Sequence, residues 1–364
     1  MKRAAYRTAQ VSQNPLARDL DHVLAHTAGI WDEVRGKRIF ISGGTGFFGI
    51  WLLESFAWAQ DKLDLGAEVL VLTRNKEAFA KKAPHLATHR AIRFVTGDVK
   101  DFQAPKGSFD YIIHGAAPSG QELGRSDALL AVDTIVTGTR NMLQFARDGQ
   151  AERFLFISSG AVYGKQPSRM SHIPESYVGA PMPQDVQSKY SAYGEAKRLG
   201  ELLCFIYHDQ HSLGATVARC FTFVGPYLRL DLNYAVGNFI RDALQGGPIN
   251  ITGDGAPYRS YLYAADLAIW LWTLLVKGRA GHAYNVGSER AVTIAELATC
   301  VAACVKPSIE VITRKKPSPT QRKEQYVPSI EKVRKELGLT GFIDLEESIR
   351  RTVEWYLRYS TPGY

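Results

Sequence analysis

Short apolar runs recur along the first two thirds of the chain, separated mostly by segments long enough to form helices. Apolar runs of about four to eight residues that end at turn-forming residues are typical of buried β-strands. Strands that alternate with helices are in turn typical of a parallel sheet covered by helices on both faces. The pattern therefore predicts an α/β fold with a doubly wound parallel sheet. The predicted strands cover residues 37–42, 68–73, 92–98, 109–117, 153–159 and 215–226.

The regions on either side of these strands have a different pattern. Residues 15–34 carry apolar side chains at helical spacing, which predicts a helical N-terminal extension over residues 1–35. After residue 226, proline and glycine mark shorter elements. We therefore expect a main domain over residues 36–226 and mainly a smaller lobe over residues 227–364. Such a lobe would close over a ligand at the carboxyl ends of the strands.

The chain is basic, since its 364 residues include 44 lysines and arginines against 36 aspartates and glutamates, a net charge of +8. This balance suits an anionic ligand, although a solvated basic surface explains it equally well. The densest basic stretch, residues 313–323, contains no aromatic side chain for stacking on bases. We therefore expect no nucleic-acid partner.

Cysteine content and apolar segments indicate the compartment. The four cysteines form no CxxC pair and lie in apolar runs, so they indicate reduced thiols rather than a disulfide framework or a metal site. The N-terminus lacks the apolar core of a secretory signal. The apolar segment 261–278 is interrupted by Asp266 and is too short for a membrane span, so it predicts a buried helix. These features predict a cytoplasmic protein without a membrane partner.

Gly43, Gly46 and Gly49 lie in "GGTGFFG", directly after the first predicted strand and at the start of a helix. Such glycines permit a tight bend, close approach of a pyrophosphate and close packing of the helix, whose N-terminus attracts the anion. The turn predicts dinucleotide binding in a Rossmann-type domain, with a purely structural glycine turn as the alternative. At the end of the second strand, where NAD-binding folds often carry an acid, the chain has Thr73 and Arg74. Arg74 could hold a 2′-phosphate or be a solvated surface residue, so the cofactor is NAD or NADP.

Tyr193 and Lys197 stand four residues apart in "YSAYGEAKR", a segment whose pattern is helical. On a helix these positions share a face, so the lysine ammonium can lie beside whatever the tyrosine hydroxyl contacts. A phenol ordinarily titrates near pH 10 and is a poor base at neutrality, but a nearby cation favours the phenolate. The pair is therefore a candidate for acid–base chemistry, with a helix-surface tyrosine and lysine as the alternative.

Several motifs follow one another in a fixed order. They are "GGTGFFG" at 43–49, "GD" at 97–98, "HGAA" at 114–117, "SSGAVYG" at 158–164, "YGEAK" at 193–197, "VGP" at 224–226, "GDGAPYRSYLYAADLA" at 253–268 and "YNVGS" at 284–288. From about residue 37 to 355 the chain resembles the extended short-chain dehydrogenase/reductase superfamily, specifically its NAD(P)-dependent nucleotide-sugar epimerase/dehydratase branch. The resemblance implies an NAD(P)-binding Rossmann domain, a substrate-binding C-terminal lobe and a homodimer built partly from the helix that contains Tyr193.

The resemblance also implies a role for each matching residue. Tyr193 would take the proton of a substrate hydroxyl, and Lys197 would supply the cation and bind the nicotinamide ribose. Ser159, four residues before the tyrosine of "VYG", would hydrogen-bond the reacting oxygen, whereas His114 is implied to be structural. The implied cofactor contacts are Gly43, Gly46, Phe47, Phe48, Gly49, Arg74, Asp98, Val99, Ala116, Ala117, Tyr193 and Lys197. The implied substrate contacts are Ser119, Thr222, Arg259 and Arg322, with the two arginines on the diphosphate.

A few positions depart from the family pattern. The 4,6-dehydratases of this branch carry an Asp-Glu pair directly after the catalytic hydroxyl, and the UDP-glucuronate decarboxylases carry a glutamate at the second of these positions. This chain has Gly160 and Ala161 there. Elimination of water needs an acid and a base beyond the tyrosine, for which Glu175 is one conceivable donor. Thr222 stands where the family usually has asparagine.

We therefore expect oxidation of a nucleotide-diphosphate sugar to a keto-sugar, followed by return of hydride to the other face, which is epimerisation. A 4,6-dehydratase with displaced acids and a keto-sugar reductase are the enzymatic alternatives. A non-catalytic, dinucleotide-sensing binding protein is a further alternative, because a fold does not guarantee activity. The full set of Ser159, Tyr193 and Lys197 argues against a pure sensor.

Overall fold

The computed structural model describes residues 14–118, 128–185, 189–232, 234–305, 307–316 and 324–359. Its strands are β1 (Arg38–Ser42), β2 (Glu68–Thr73), β3 (Ile92–Thr96), β4 (Tyr111–His114), β5 (Arg153–Ser159), β6 (Ala215–Cys220), β7 (Phe223–Val224), β8 (Ile249–Ile251), β9 (Tyr258–Arg259), β10 (Leu262–Tyr263), β11 (His282–Val286), β12 (Val292–Thr293), β13 (Val311–Thr313) and β14 (Gln325–Tyr326). Its helices are α1 (Ala17–His26), α2 (Ala28–Val34), α3 (Phe47–Leu63), α4 (Lys76–Lys82), α5 (Pro84–Ala87), α6 (Ala128–Asp148), α7 (Lys189–His211), α8 (Ala235–Leu244), α9 (Ala264–Lys277), α10 (Ile294–Ala303), α11 (Glu331–Leu337) and α12 (Leu345–Tyr359).

The central sheet has seven parallel strands in the order β11-β6-β5-β4-β1-β2-β3. This arrangement confirms the predicted α/β fold with a doubly wound sheet. Strands β2 and β5 coincide with the predicted runs 68–73 and 153–159. The strand predicted over 109–117 is shorter, because β4 ends at His114 and the following residues leave the sheet.

The expectation of one continuous strand over 215–226 is wrong. Only β6 belongs to the central sheet, whereas β7 pairs with β10 in a separate two-stranded sheet. The chain changes partners between the two strands, since the Phe221 N–H donates to β11 and the Thr222 carbonyl accepts from the N–H of Leu262, both at 3.0 Å. The apolar pattern did not reveal the break because both pieces are buried.

Both faces of the central sheet lie under helices. In β1, Ile39 and Ile41 face one apolar cluster that includes residues of α3 and α9, while Phe40 faces a second cluster with residues of α6 and α7. The sequence of a strand that is buried on both faces is a continuous apolar run, whereas a strand buried on one face alternates between apolar and polar residues. The sheet thereby holds helices α3 and α7 on opposite faces.

Helix α9 is buried along its length, as the sequence predicts for residues 261–278; every residue except the last is buried. The carboxylate of Asp266, which interrupts the apolar run, accepts hydrogen bonds from the N–H groups of Phe342 and Ile343 at 2.9 and 3.0 Å. These bonds compensate the cost of burying the charge. None of the helices among the described residues has the length and apolar character needed to cross a bilayer.

The predicted N-terminal helix is two helices in the structure, α1 and α2, separated at Thr27. The Thr27 hydroxyl accepts a hydrogen bond from Trp31 Nε1 at 2.8 Å. Helix α1 packs on α9 and α3. Its Asp19, 6% exposed, pairs with Arg351 of α12 and accepts the hydroxyl of Tyr263 at 2.7 Å. This buried cluster ties the N-terminal helix to the last described helix of the chain.

Most residues after β7 form small elements beside the central sheet, including a three-stranded sheet of order β12-β9-β14 and a β13-β8 pair. Strand β11 is the exception, because it forms an edge of the central sheet although it lies in the range 227–364. Helix α9 likewise packs against α3 of the main domain. The division of the chain at residue 226 stays a prediction.

The Asp19 cluster makes a testable prediction about stability. Replacing Asp19→Ala leaves the buried Tyr263 hydroxyl and the partly buried Arg351 charge without this acceptor, so we expect the free energy of unfolding to fall by about 2 kcal/mol. The control is Arg18→Ala on the same helix, where a solvent-exposed pair with Glu347 contributes at most about 0.5 kcal/mol. Urea unfolding of both variants measures the difference; equal losses would contradict a buried role for Asp19.

Candidate active site

The strand order reverses between β1 and β4, which places the carboxyl ends of these two strands side by side. Open α/β sheets bind ligands at such a switch point. The glycine turn follows β1, and the predicted cofactor residues Ala116 and Ala117 follow β4. Two segments predicted to contact the cofactor therefore meet at this edge of the sheet.

Gly43 brings the backbones of these two segments into direct contact. Its φ of +79° is disfavoured for other residues, and an added Cβ would lie 2.5 Å from the carbonyl carbon of Gly115. Gly49 is confined in the same way, since a Cβ there would lie 2.3 Å from the Cα of Gly44. The structure thus requires glycine at both positions, so that helix α3 can start close to the sheet.

Gly46 has no such constraint from the protein. Its φ is −81°, and an added Cβ would meet only the carbonyl oxygen of Gly43, at 3.5 Å. Gly46 is the N-cap of α3, where backbone N–H groups and the helix dipole favour an anion. A glycine that leaves open space at a helix N-terminus fits the pyrophosphate of a dinucleotide. Phe47 and Phe48 begin this helix, and the Phe48 ring packs against Phe223 with centroids 4.9 Å apart.

The remaining predicted cofactor residues follow β2 and β3. Arg74 is exposed directly after β2. The Asp98 carboxylate accepts the N–H of Lys100 at 3.0 Å, which fixes the loop after β3. Val99 is buried against helix α6, where a Cβ at Gly138 would lie 2.6 Å from Val99 Cγ1. These residues lie at the carboxyl ends of neighbouring strands, as the predicted contacts with the adenosine half require.

Ser159 and Tyr193 come from adjacent elements at the same edge. Ser159 ends β5 and caps the following 3₁₀ turn, Gly160–Tyr163, by accepting the N–H of Ala161 at 3.2 Å. Gly194, next to Tyr193, lets α7 approach this turn, because an added Cβ would lie 2.7 Å from the Ala161 carbonyl oxygen. Local glycine thus allows the helix with the tyrosine to pack against the turn that follows the serine.

Lys197 lies one helical turn after Tyr193 and is buried. Its ammonium donates to the Ile157 carbonyl at 2.7 Å and lies 5.9 Å from the centroid of the Tyr193 ring. Burial lowers the pKa of Lys197 to about 8, against the opposing effects of Cys220 and Glu201. The ammonium is therefore charged at neutral pH and close to the tyrosine, as the predicted role of a cation requires.

His114 is a structural residue of this site. Its ring is buried between the Ser42 hydroxyl, 2.7 Å from Nδ1, and the Thr139 hydroxyl, 3.1 Å from Nε2. Burial, reinforced by the Lys197 charge, lowers the pKa of His114 to about 3. The imidazole is therefore neutral at physiological pH and joins β1, β4 and α6.

The neighbouring serine, Ser158, has a different partner. Its hydroxyl donates to the buried Glu201 carboxylate at 2.5 Å. Glu201 also accepts Arg219 in a forked ion pair, with Nη2 at 2.7 Å. Arg219 donates in turn to the Tyr163 hydroxyl at 2.9 Å. The Ser158 hydroxyl is thus already hydrogen-bonded within this buried network. This supports Ser159 as the serine that would bond the reacting oxygen.

Glu175, the conceivable donor for dehydratase chemistry, belongs to the same network. Its carboxylate accepts the backbone N–H of Asn285 at 2.8 Å, and the Asn285 side chain accepts the Tyr163 hydroxyl. Burial raises the pKa of Glu175. The structure therefore uses this carboxyl group to join the loop after the 3₁₀ turn to the end of β11.

Two of the predicted substrate residues, Thr222 and Arg259, lie within the described part of the chain. Arg259 lies in β9, with its guanidinium bonded to the Tyr258 carbonyl at 2.8 Å and 3.7 Å from Glu324. The Thr222 hydroxyl donates to the Ser260 carbonyl, which links the end of β6 to the segment after β9. The predicted contacts Ser119 and Arg322 lie outside the described residues.

Sequence reasoning missed Tyr326, which lies in β14 opposite Arg259 in β9. The Tyr326 ring packs on Phe221 with centroids 4.7 Å apart, and a Cβ added at Gly160 would lie 2.5 Å from the Tyr326 hydroxyl oxygen. No sequence signal pointed to this contact, because it depends on how β14 packs against the turn after β5. The structure therefore places Tyr326 beside the turn that follows Ser159.

Comparison with known proteins agrees with this geometry. The family described as "NAD dependent epimerase/dehydratase family" matches residues 39–287. UDP-glucuronic acid decarboxylase 3 of Arabidopsis thaliana is 32% identical, over 89% of this chain and 91% of that protein. A dTDP-glucose 4,6-dehydratase of Streptomyces niveus is 28% identical, over 88% and 92%.

Solved structures show the same fold. A dTDP-glucose 4,6-dehydratase from Streptomyces venezuelae, solved with NAD bound, has a TM-score of 0.73 at 27% identity and covers 88% of this chain and 97% of its own. A UDP-glucose 4-epimerase from Thermotoga maritima, solved with UDP-glucose, has a TM-score of 0.73 at 22% identity and covers 88% and 98%. The resemblance found in the sequence is thereby confirmed. The chain belongs to the NAD dependent epimerase/dehydratase family, whose extended short-chain dehydrogenase/reductase members act on nucleotide sugars.

Proposed function

We propose that the protein epimerises a nucleotide-diphosphate sugar through a keto-sugar intermediate. Three observations support the proposal: Ser159 ends β5, helix α7 packs on the turn that follows it, and the Lys197 ammonium lies 5.9 Å from the centroid of the Tyr193 ring on that helix. Neither Gly160 nor Ala161 supplies a carboxylate beside them. In this proposal residues 36–226 mainly hold the dinucleotide and residues 227–364 mainly hold the sugar nucleotide.

The side chains divide the proton chemistry among them. Ser159 hydrogen-bonds the sugar oxygen and orients it. Tyr193, as phenolate, takes the hydroxyl proton during oxidation and gives it back to the oxygen during reduction. Lys197 supports the phenolate, because a buried cation favours the charged form of a neighbouring acid. The glycine turn at Gly43, Gly46 and Gly49 would hold NAD or NADP, which would supply the hydride acceptor for the oxidation and the hydride donor for the return to the other face of the sugar.

Other reactions of the family need groups that this site places elsewhere. Dehydration requires an acid and a base beyond the tyrosine. Glu175, which sequence reasoning offers for this role, is bonded to Asn285. Decarboxylation, the reaction in the names of several relatives, loses the support of the glutamate expected where Ala161 stands. A keto-sugar reductase uses the same three groups as an epimerase and is the second candidate.

The choice between NAD and NADP depends on Arg74. The structure leaves this arginine exposed at the end of β2 and shows no carboxylate at Thr73 or Arg74. A guanidinium at this position suits a 2′-phosphate, whereas the related dehydratase structure holds NAD. Both dinucleotides therefore belong in the assay.

The purified protein should convert one member of a panel of UDP-, dTDP-, GDP- and CDP-hexoses, with NAD or NADP, into a product of equal mass. Tyr193→Phe should lower turnover at least about 100-fold with dinucleotide binding retained, because only the proton-transfer group is lost. Tyr207→Phe on the same helix is the matched control and should retain activity. Mass spectrometry and proton NMR identify the product.

The other outcomes of this assay are distinct. A product lighter by one water would replace epimerisation with dehydration, and net consumption of NADH or NADPH would establish a reductase. Bound dinucleotide without turnover of any sugar would favour the sensing protein.

The buried charge of Lys197 predicts a pH dependence of stability. Its pKa is lowered from the ordinary 10.5 to about 8, so between these pH values the unfolded chain holds a proton that the folded chain has released. Stability therefore rises with pH through this window. We expect wild type to gain about 2 kcal/mol relative to Lys197→Met between about pH 7.5 and 10. Urea unfolding at each pH measures this difference; parallel profiles would show that Lys197 is not buried as a cation.

We propose further that the protein is a homodimer, with α6 and α7 in the interface. Both helices carry exposed leucines, including Leu130, Leu199 and Leu202, which are 56%, 41% and 51% exposed. The two helices pack against each other, so the apolar side chains lie on one helical layer. A second copy of this layer would cover them, as a two-fold interface pairs the same patch on both subunits.

A cytoplasmic location stays a prediction.

Leu202→Glu should therefore shift the protein from dimer to monomer, since it places a charge where apolar surface would be buried. The matched control is Leu357→Glu, a leucine 66% exposed on α12, which should leave the dimer intact. Sedimentation velocity measures both. A wild-type monomer, or a dimer that survives Leu202→Glu, would contradict this interface.

A further inference from the structure

Helix α7 carries an ionisable side chain at every fourth position along one face. These residues are Tyr193, Lys197 and Glu201. Positions four apart on a helix lie on the same face, so the three form a stripe about 12 Å long. The proposed function uses Tyr193 and Lys197 but gives no role to Glu201, although this carboxylate is buried.

Glu201 is hydrogen-bonded to the serine that precedes Ser159. The buried Ser158 hydroxyl donates to Glu201 Oε1 at 2.5 Å. Arg219 of β6 binds the same carboxylate through Nε, 3.1 Å from both oxygens, and through Nη2, 2.7 Å from Oε2. A forked guanidinium orients a carboxylate as well as neutralising it. Glu201 therefore offers Ser158 an acceptor in a defined position.

Two more contacts join α7 to the residues just before this serine. Lys197 Nζ donates to the Ile157 carbonyl at 2.7 Å. A Cβ added at Gly200 would lie 2.6 Å from Cζ of Phe156, so the helix lies directly on that ring. Three consecutive residues near the end of β5 are therefore each in contact with α7.

The alternation of side chains along β5 explains why Ser158 faces the helix. Phe156 belongs to the apolar cluster that includes residues of α7, whereas Ile157 belongs to the cluster on the other face of the sheet. Because successive side chains of a strand point to opposite faces, position 158 faces α7 again. Ser158 can thus hold the helix, while Ser159 ends the strand and caps the following turn.

We propose that Ser158 and Glu201 are a pair of positioning residues: their hydrogen bond holds α7 in one register against β5 and so sets Tyr193 relative to Ser159. This inference rests on the proposed function for the chemistry of those two groups. Ser158 is covalently next to Ser159, and Glu201 lies about two helical turns after Tyr193. A shift of α7 along β5 would move Tyr193 away from Ser159 but leave it beside Lys197, since both belong to one helix.

Kinetics of Ser158→Ala test this role. The variant keeps the ion pair between Glu201 and Arg219, so we expect it to fold. A misplacement of about 1 Å can cost about 100-fold in rate, and the other contacts of α7 limit the shift. We therefore expect kcat to fall about 10-fold with KM unchanged. The pH profile of kcat should keep its midpoint, because Lys197 still lies beside Tyr193.

Ser55→Ala is the matched control. Ser55 is also buried, and its hydroxyl accepts Trp272 Nε1 at 2.9 Å, between α3 and α9. This variant should be destabilised in urea unfolding, as Ser158→Ala is, but should keep its kcat. Equal losses of kcat in the two variants would reveal a general structural effect and overturn the positioning role.

A double variant tests whether the pair acts through Ser159. In the Ser159→Ala background, Ser158→Ala should lower kcat by less than about 2-fold, because no serine hydroxyl remains to be aligned with Tyr193. Losses that multiply in the double variant would refute this route.

The register can also be tested without substrate. In protein labelled with 3-fluorotyrosine, ¹⁹F NMR reports the surroundings of each phenol, and Tyr193→Phe identifies the Tyr193 signal. Ser158→Ala should shift or broaden this signal, whereas Ser55→Ala should leave it in place. An unchanged Tyr193 signal in Ser158→Ala would overturn the proposal.

These tests separate the two possible failures. A wild-type protein that turns over no sugar would refute the proposed function, while the fluorine signal would still decide whether the pair positions Tyr193. A wild-type protein that epimerises a sugar no faster than Ser158→Ala would refute the positioning role and leave the proposed function standing.

Discussion

The close backbone contact between the glycine turn and the segment after β4 is the constraint on which the rest of the site depends. Gly43 lies so near Gly115 that no Cβ fits between them. This contact exists because β1 and β4 are neighbours at the point where the strand order reverses. It brings the N-terminus of α3, with the open space at Gly46, to the sheet edge where β5 presents Ser159. A helix N-terminus that favours an anion and the Ser159 hydroxyl thereby lie at the same edge of the sheet.

A second constraint joins the end of the central sheet to the loop after the 3₁₀ turn. Glu201 and Arg219 form a buried ion pair that reaches Tyr163 and, through Asn285, the loop of Glu175. Such a network is costly when any partner is missing, so it favours one arrangement of its elements. Tyr163 and the Tyr326 ring also belong to one apolar cluster with Phe221. Polar and apolar contacts therefore both fix the turn that follows Ser159.

The relatives of this chain include decarboxylases and dehydratases, so membership of the family does not by itself fix the reaction. Here the side chains at 160 and 161 are minimal, and the Tyr326 hydroxyl and the Phe221 ring leave no space for a larger side chain at Gly160. Neither position can supply the carboxylate that an elimination would need.

Local sequence determined the elements and several site residues. The apolar runs predicted the exact bounds of strands β2 and β5. The glycine spacing predicted the turn after β1, and the Tyr193–Lys197 spacing predicted helix α7. Local sequence suffices here because these patterns depend on neighbours within a few residues. Tertiary structure alone decided the break between β6 and β7, the separation of α1 from α2, the hydrogen bond between Asn285 and Glu175 and the contact of Tyr326 with the turn at Gly160. These features depend on groups far apart in the chain, which are brought together by packing on both faces of the sheet and by the small sheets beside it. Periodicity and composition do not show which residues distant in the sequence come into contact, so only the folded structure reveals these contacts.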